Sequence, residues 1–261
     1  MTTPPAGMTE RSVVDRTLRI LGVFDRENRN LTLSGISRRS GLPVATVHRI
    51  VTKLHGWGAL EKCADGTYRI GLRLWETATL APHTALTETA QPHLVGLHKQ
   101  TSAAVTLAVR DGADSVCLSL ISNDAHRTAY RSDVGSRTPL PDTAAGLVLL
   151  AHTGENSGRQ VRAALPRTHP SRGAADGAAL QSRLAKIRRE GCAVVVAPSS
   201  RGGSVAAPVC GGQGTVIAAV AVTVPARPLP VMQLLPQVRA TAEAVSRSMR
   251  IDGGRMAEVG A

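Results

Sequence analysis

Aromatic side chains are scarce in this chain, which has two Trp, two Tyr and one Phe among 261 residues. Hydrophobic residues nevertheless make up 43% of the sequence, which is enough to build a core. Any core must therefore consist largely of Ala, Val and Leu side chains. The length allows one large domain or two small ones.

Cysteines and long apolar runs are also few, and each shortage excludes a class of protein. The four cysteines form no C-x-x-C pair and have no histidine at metal spacing: Cys63, Cys117, Cys192 and Cys210. We expect buried, reduced thiols and neither a metal nor a cofactor. The apolar run at 215–226 is too short to span a bilayer, and the Thr/Pro-rich start lacks a signal-peptide pattern. These features predict a soluble, cytoplasmic protein without membrane contact.

No arrangement typical of an active site is found. His93, His98, His126 and His152 are scattered, and no Ser-His-Asp set or paired carboxylates emerge. The glycine cluster at 211–214 lies between two predicted strands and is typical of a hairpin loop rather than a phosphate cradle. An enzyme with an accessory domain is the less favoured alternative.

Positive charge is abundant. The formal net charge is +12 and the isoelectric point is near 10.9, which favours a polyanionic partner such as nucleic acid. Basic residues occur in both halves of the chain, so the charge supports such a partner without locating its site.

Two short helices joined by a tight turn are predicted between residues 33 and 58. Ser34 is expected to cap the first helix, at 33–40, and a turn follows at Gly41. Pro43 suits the first position of the second helix because its missing N–H would be unpaired there anyway. The buried stripe of this second helix is predicted to contain Val47, Ile50, Val51 and Leu54.

A β-hairpin is predicted after the second helix, with strands at 59–63 and 67–70 joined across Asp65-Gly66. Trp57 and Tyr68 are expected in the core. Helix, turn, helix and hairpin in this order describe a winged helix-turn-helix, whose second helix fits a major groove. A winged helix that binds a protein partner is the alternative.

The same residues resemble the IclR (isocitrate lyase regulator) family of bacterial transcription regulators. Similar segments occur in the family's order along nearly the whole chain: 12–21, 31–33, 41–43, 46–49, 68–74, 134–140, 143–146, 204–209 and 218–223. The resemblance implies an α+β chain, with an N-terminal winged helix-turn-helix domain joined by a linker helix to a GAF-like α/β effector-binding domain.

Five segments are expected from this organisation. They are a disordered N-terminus (1–9), the DNA-binding domain (10–72), the linker helix (73–86), the effector-binding and oligomerisation domain (87–252) and a flexible tail (253–261). In the effector domain, strands are predicted at 103–110, 115–121, 127–131, 192–197, 203–210 and 216–224. Helices are predicted at 87–100, 143–152, 157–165, 178–190 and 234–250, with breaks at Pro82 and Pro92 and a mobile loop at 166–177.

Base contacts are expected from the start of the second helix, which reads base edges in a helix-turn-helix. Arg49 suits bidentate contact with guanine, and Thr46 and His48 can hydrogen-bond to bases or phosphate. Val44 and Ala45 stand where family members often carry a basic and a hydroxyl residue, so only apolar contact is expected there. Phosphate contacts are expected from Arg38, Arg39, Lys53, Lys62 and Arg69, although each could equally be a solvated charge.

Effector contacts follow from the family resemblance alone. It implies a small-molecule pocket lined by Ala145, Gly146, Leu147, Ser204, Ala221 and Thr223. The hydroxyls of Ser204 and Thr223 suit a carboxylate, whereas Ala221 stands where a serine is common. We therefore expect a more apolar pocket and a larger or less polar ligand than is usual. Each of these residues could instead belong only to the core.

The predicted function is transcription regulation of the IclR type. The chain is expected to bind double-stranded operator DNA as a homodimer or homotetramer, and repression is the favoured sign. A small organic acid, aromatic compound or other metabolite is expected to modulate DNA affinity. A constitutive DNA-binding regulator with a vestigial, non-sensing C-terminal domain remains the alternative.

Overall fold

The chain folds into two compact units that divide between Thr84 and Ala85. The structure is a computed structural model that describes residues 12–123, 133–154, 161, 163, 174–196, 202–225 and 230–259. The predictions for residues 1–9, 127–131 and 166–173, and most of the helix predicted at 157–165, lie outside these ranges.

The first unit is a three-helix cluster followed by a hairpin and a short helix. Its elements are α1 (Val13–Leu21), α2 (Leu33–Ser40), α3 (Val44–Trp57), β1 (Leu60–Lys62), β2 (Tyr68–Ile70) and α4 (Leu72–Thr79). The order confirms the predicted winged helix-turn-helix. Thr32, and not Ser34, caps α2, because the Thr32 hydroxyl accepts the Gly35 N–H at 3.1 Å. Pro43 is the N-cap of α3 and precedes its first helical residue.

The core of the first unit confirms the predicted stripe of α3. Val47, Ile50 and Val51 are buried and Leu54 packs against them half-buried. Gly58, with φ 89°, ends α3 in the left-handed conformation that glycine adopts at least cost. Tyr68 is buried as predicted, but the prediction for Trp57 is wrong, since 52% of its surface is exposed.

Helix α5 (Pro82–Thr101) continues through Pro92, where a break was expected. A proline inside a helix costs about 3 kcal/mol because it removes a donor and crowds the preceding turn. The buried face of α5 consists of Leu86, Ala90, Leu94 and Leu97. Since each large aliphatic side chain contributes roughly 1.5–3 kcal/mol when buried, this face outweighs the proline. The break expected at Pro82 is confirmed, because α4 ends before it.

The second unit contains one six-stranded antiparallel sheet in the order β5-β4-β3-β8-β7-β6, which confirms the α+β prediction. Its strands are β3 (Ala104–Asp111), β4 (Asp114–Ile121), β5 (Arg137–Pro139), β6 (Ala193–Val196), β7 (Gly203–Cys210) and β8 (Val216–Val224). Strand β5 was not predicted. Arg137 binds Asp111 at 2.8 Å and Asp114 at 3.2 Å, and these ion pairs hold β5 beside the β3–β4 hairpin.

Helices cover both faces of this sheet. Besides α5 they are α6 (Ala144–Ala151), α7 (Ala174–Glu190) and α8 (Val231–Val259). Helix α7 begins before its predicted start at residue 178. Helix α8 extends past its predicted end at residue 250, into the segment expected as a tail. A short 3-10 turn, Leu140–Asp142, precedes α6.

Alternation along the strands divides the packing into two cores. Val105, Leu107 and Val109 of β3 pack with α5 and α8, whereas Ala108 packs with α6 and α7. We call the side of the sheet that α6 covers the α6 face. Along the strands of this face the buried residues are small, including Ala206, Ala219 and Ala221.

None of the four cysteines, all of which lie among the described residues, forms a disulfide. Cys117 and Cys192 are buried as expected, whereas Cys63 and Cys210 are only half-buried, so that part of the expectation is wrong.

Candidate DNA-reading surface and effector site

The outer face of α3 presents one continuous solvent-exposed surface, which we call the reading face. It contains Val44, Ala45, His48, Arg49, Thr52 and Lys53, all of them exposed. The buried stripe of the same helix fixes its rotation, so these side chains point away from the core. Thr46 is half-buried at the edge of the reading face.

The turn between α2 and α3 fixes the angle at which the reading face is presented. Gly41 adopts φ 65°, a left-handed conformation that favours glycine. The Ser37 hydroxyl donates to the Leu42 carbonyl at 2.7 Å and closes the turn from the α2 side. The sequence therefore positions α3 by a glycine, a side-chain hydrogen bond and the buried stripe together.

The basic residues of α2 differ in their surroundings. Arg38 is exposed, whereas the Arg39 guanidinium donates to the Asn28 side-chain oxygen. Asn28 in turn donates from its side chain to Asp25 at 2.7 Å, and this hydrogen bond holds the pKa of Asp25 below its ordinary value. The loop before α2 therefore restrains Arg39, whereas Arg38 lies exposed on the same helix.

The hairpin β1–β2 also carries two cations in different surroundings. Lys62 is exposed, whereas Arg69 binds the Glu61 carboxylate through two nitrogens, Nε at 2.9 Å and Nη2 at 2.8 Å. The hydrogen bond between them lowers the pKa of Glu61 and raises that of Arg69. The other Glu61 oxygen accepts the backbone N–H of Leu72 at 3.2 Å.

The predicted effector residues of α6 are tightly packed. All eight residues of the helix are buried, including Ala145, Gly146 and Leu147. The Thr143 hydroxyl caps the helix by accepting the Gly146 N–H at 2.9 Å. A Cβ added at Gly146 would collide with the Leu140 carbonyl, so close backbone approach already explains this glycine.

The remaining predicted effector residues meet on the α6 face. Ser204 of β7 is the register partner of Thr223 of β8, and both are half-buried. Ala221 lies two residues before Thr223 on the same face of β8, and its partner on β3 is Thr106. Ser204 and Thr223, which lie 19 positions apart in sequence, are therefore neighbours in the sheet.

Thr106 is a candidate that the sequence analysis missed. It is half-buried, and its place opposite Ala221 puts a third hydroxyl on the α6 face. The alternation of small residues at Ala104, Thr106 and Ala108 is the signal that could have identified it. The face thus offers three hydroxyl groups among alanine side chains, an arrangement that suits an amphipathic ligand with a polar end.

Within the part of the chain that the structure describes, no group of three His, Cys, Asp or Glu side chains is arranged to hold a metal ion. The segment 211–214 forms the β7–β8 hairpin loop as predicted, closed by Gly211 N–H donating to the Thr215 carbonyl at 2.9 Å. Among the described helices, none has both the length and the apolar composition that a bilayer crossing requires.

Comparison with known proteins identifies both units. The model of the IclR helix-turn-helix domain matches residues 13–63, and that of the bacterial transcriptional regulator IclR C-terminal domain matches residues 78–247. The HTH-type transcriptional regulator XynR of Escherichia coli (strain K12) is 31% identical over 219 residues, which are 80% of this chain and 84% of that protein. The Pca regulon regulatory protein of Pseudomonas putida is 30% identical, with 80% and 72% covered.

A solved structure is similar over both units. It is an IclR homolog from Microbacterium hydrocarbonoxydans in complex with 4-hydroxybenzoate, with a TM-score of 0.82 and 30% sequence identity. The similarity covers 92% of this chain and 100% of that chain.

Proposed function

This chain belongs to the IclR family of bacterial transcriptional regulators, and we propose that a small aromatic or organic acid held on its α6 face changes its affinity for operator DNA. The chain is a DNA-binding regulator with an N-terminal helix-turn-helix and a C-terminal effector domain. The observation that carries the ligand proposal is the alignment of Ser204 and Thr223 on a small-residue sheet face beneath α6. The 4-hydroxybenzoate bound by the similar structure supports this chemical class.

The proposed DNA contacts use the reading face. Arg49 reads a guanine through its two-pronged guanidinium, and His48 bonds to a neighbouring base or phosphate. Val44 and Ala45 make apolar contact with a thymine methyl group. Thr46, which is half-buried, supports the base contacts from the edge. Phosphate contacts come from four other exposed cations of this unit: Arg38, Arg39, Lys53 and Lys62.

The proposed ligand orientation follows from the chemistry of the α6 face. The hydroxyls of Ser204, Thr223 and Thr106 receive the polar end of the ligand, while alanine side chains of the same face contact its apolar body. Because Ala221 provides no hydroxyl, the ligand is less polar than a short dicarboxylate. Ala145, Gly146 and Leu147 close the site from the α6 side.

We also propose that two copies pair through α1 and α4. None of the eight residues of α4 is buried, and an isolated helix of this length is marginal in water. Its Trp75 is 65% exposed, and Val14 and Leu18 of α1 are exposed to a similar degree. Exposed apolar side chains of this size on both helices are typical of a protein interface. A two-fold dimer implies a pseudo-palindromic operator.

The test of ligand action combines two measurements on the same protein. Thermal shift with aromatic and aliphatic acids, starting with 4-hydroxybenzoate, identifies a binder, and its effect on the affinity for DNA upstream of the chain's own gene is then measured. We expect stabilisation and a change in DNA affinity, both weakened by Ser204→Ala but not by Thr215→Ala, an exposed loop control. A ligand can act only if it binds two conformations differently. DNA binding that no acid in the panel alters would favour the constitutive alternative.

The sign of regulation and the cellular compartment complete the proposal. We propose repression in the cytoplasm, where the operator DNA is located. A reporter gene placed behind the operator tests the sign, because repression requires expression to rise when this chain is deleted.

A further inference from the structure

We propose that Glu61 is a positioning residue that holds the hairpin and the start of α4 in place, and that Arg69 serves this junction rather than a DNA phosphate. The inference rests on the proposed DNA contacts of the reading face. It concerns the first unit alone and replaces the phosphate role that the sequence predicted for Arg69.

Both oxygens of the Glu61 carboxylate are engaged by different elements. One binds Arg69 of β2 through Nε and Nη2, and the other accepts the N–H of Leu72, the first residue of α4. Gly71, the N-cap of α4, provides no side-chain acceptor for the N–H groups of the first turn, which have no partner within the helix. Glu61 therefore caps the start of α4 from outside that helix. One side chain of β1 thus joins β2 to α4.

The backbone at the same junction is closely packed. The Gly71 N–H donates to the Ala59 carbonyl at 2.8 Å, and a Cβ at Gly71 would collide with the Gly58 carbonyl. Gly58 is the residue that ends α3. The beginning of α4 is therefore in direct contact with the end of the helix that carries the reading face.

A side-chain contact also joins α3 and α4. The guanidinium carbon of Arg73, in the first turn of α4, lies 5.4 Å from the ring centroid of Trp57, the last residue of α3. A cation over an aromatic face is attracted by the ring. This stacking accounts for a tryptophan that is exposed although the sequence predicted it in the core.

The charge of Arg69 is already matched by Glu61. A phosphate would have to compete with a carboxylate that binds Arg69 through two nitrogens, so Arg69 should release few DNA counterions. Lys62 lies on the same hairpin and is exposed without a carboxylate partner in the described structure. It is therefore the matched control for Arg69.

The test measures binding to two duplexes, DNA upstream of the chain's own gene and a random sequence, over a range of salt concentrations. The variants are Glu61→Gln, Arg69→Ala, Arg69→Lys and the double variant Glu61→Gln/Arg69→Ala. Lys62→Ala controls for a phosphate contact, and Glu27→Gln controls for the loss of one exposed carboxylate in the same unit. Thermal unfolding of each variant separates misfolding from misplacement.

We expect Glu61→Gln and Arg69→Ala each to weaken binding to the specific duplex by about two- to fivefold, the range of an exposed ion pair. Binding to random DNA should change less, and the double variant should be no weaker than either single variant, because both break one contact. Arg69→Ala should leave the salt slope unchanged, whereas Lys62→Ala should reduce it by about one. Arg69→Lys keeps the charge but not the two-pronged contact, and should resemble Arg69→Ala.

Two results would overturn the inference while leaving the proposed function intact. If Arg69→Ala reduces the salt slope as Lys62→Ala does, Arg69 is a phosphate contact. If Glu61→Gln tightens binding to both duplexes, and by the same amount as the control Glu27→Gln, Glu61 acts only as a negative charge that repels DNA. A parent protein that does not prefer the specific duplex would instead overturn the proposed reading face, and the inference with it.

Discussion

The two units of this chain hold their candidate functional side chains in opposite environments. In the first unit the reading face is exposed on one helix, and the packing of α3 depends on the other side of that helix. In the second unit the candidate effector residues are buried or half-buried, and several also belong to a core. A substitution on the reading face can therefore remove a contact without affecting the fold, whereas a substitution that changes side-chain size on the α6 face affects both.

The largest effect is expected for a substitution of Trp75 in α4, a residue to which this distinction does not apply. Its side chain is exposed in one copy, but it is proposed to be buried between two. Trp75→Glu places a charge in that interface, so we expect monomers in sedimentation analysis. Binding to a two-half-site operator should fall by about a hundredfold or more, because the second half-site no longer gains from the first.

Met232→Glu is the control for this change. It adds the same charge at an apolar residue that is 88% exposed in α8 of the second unit. A Trp75→Glu protein that stays dimeric would show that α4 is not the interface.

Gly146→Ala tests the tight packing of α6 in the second unit. The added Cβ would collide with the Leu140 carbonyl, and overpacking of this kind costs about 1–3 kcal/mol. Both tryptophans, Trp57 and Trp75, lie in the first unit, so their fluorescence monitors that unit separately. We expect the thermal transition seen by far-UV circular dichroism to fall while the tryptophan transition moves less.

Gly96→Ala is the matched control, since Gly96 is also helical but an added Cβ would meet open space. It should be neutral or stabilising by about 0.4–1 kcal/mol. If Gly96→Ala destabilised the second unit as much as Gly146→Ala does, the approach to the Leu140 carbonyl could not be the cause, because a Cβ at Gly96 meets no neighbouring atom.

Thr223→Val tests whether the α6 face recognises a ligand or only fills space. The two side chains have nearly the same shape, so the fold should remain. An acid found by thermal shift should bind more weakly by about 0.5–1.5 kcal/mol, the net contribution of one hydrogen bond. Calorimetric titration measures this directly. Unchanged affinity, with Ser204→Ala also silent, would place the ligand elsewhere.

The smallest effect concerns acid stability of the first unit. Hydrogen bonds from Asn28, Arg69 and Thr67 lower the pKa values of Asp25, Glu61 and Asp65 below their ordinary values of 3.8, 4.5 and 3.8. A lowered pKa contributes stability that is complete above the unfolded value and is lost as the pH falls through the folded value. We therefore expect the tryptophan-detected transition to weaken as the pH falls below about 4.5, and less so in Asp65→Asn.

The same contrast explains which features the sequence could predict. The stripe of α3, the hairpin turn at Gly66 and the outward position of Arg49 follow from local spacing, and the structure confirms them. The pairing of Ser204 with Thr223 depends on sheet register, so the sequence could suggest it only through family resemblance. Thr106 was missed because no local motif links β3 to β8.

The errors made from local patterns have tertiary causes. Pro92 does not break α5 because burial of the opposite face outweighs the lost hydrogen bond. Trp57 is exposed because its partner is Arg73 on the next helix. Strand β5 was missed because three residues give no periodic signal. Arg137 holds this strand in place by ion pairs to the β3–β4 hairpin.

The most direct test of the account is the binding of this chain and of Arg49→Ala to DNA upstream of its own gene, beside random DNA, over a range of salt concentrations. We expect the parent protein to prefer its own upstream DNA. We expect Arg49→Ala to lose about 1–3 kcal/mol of that preference without loss of thermal stability, because the side chain is exposed. Equal binding to both duplexes that disappears at modest salt, in parent and variant alike, would contradict it, since only the net charge of +12 would then be measured.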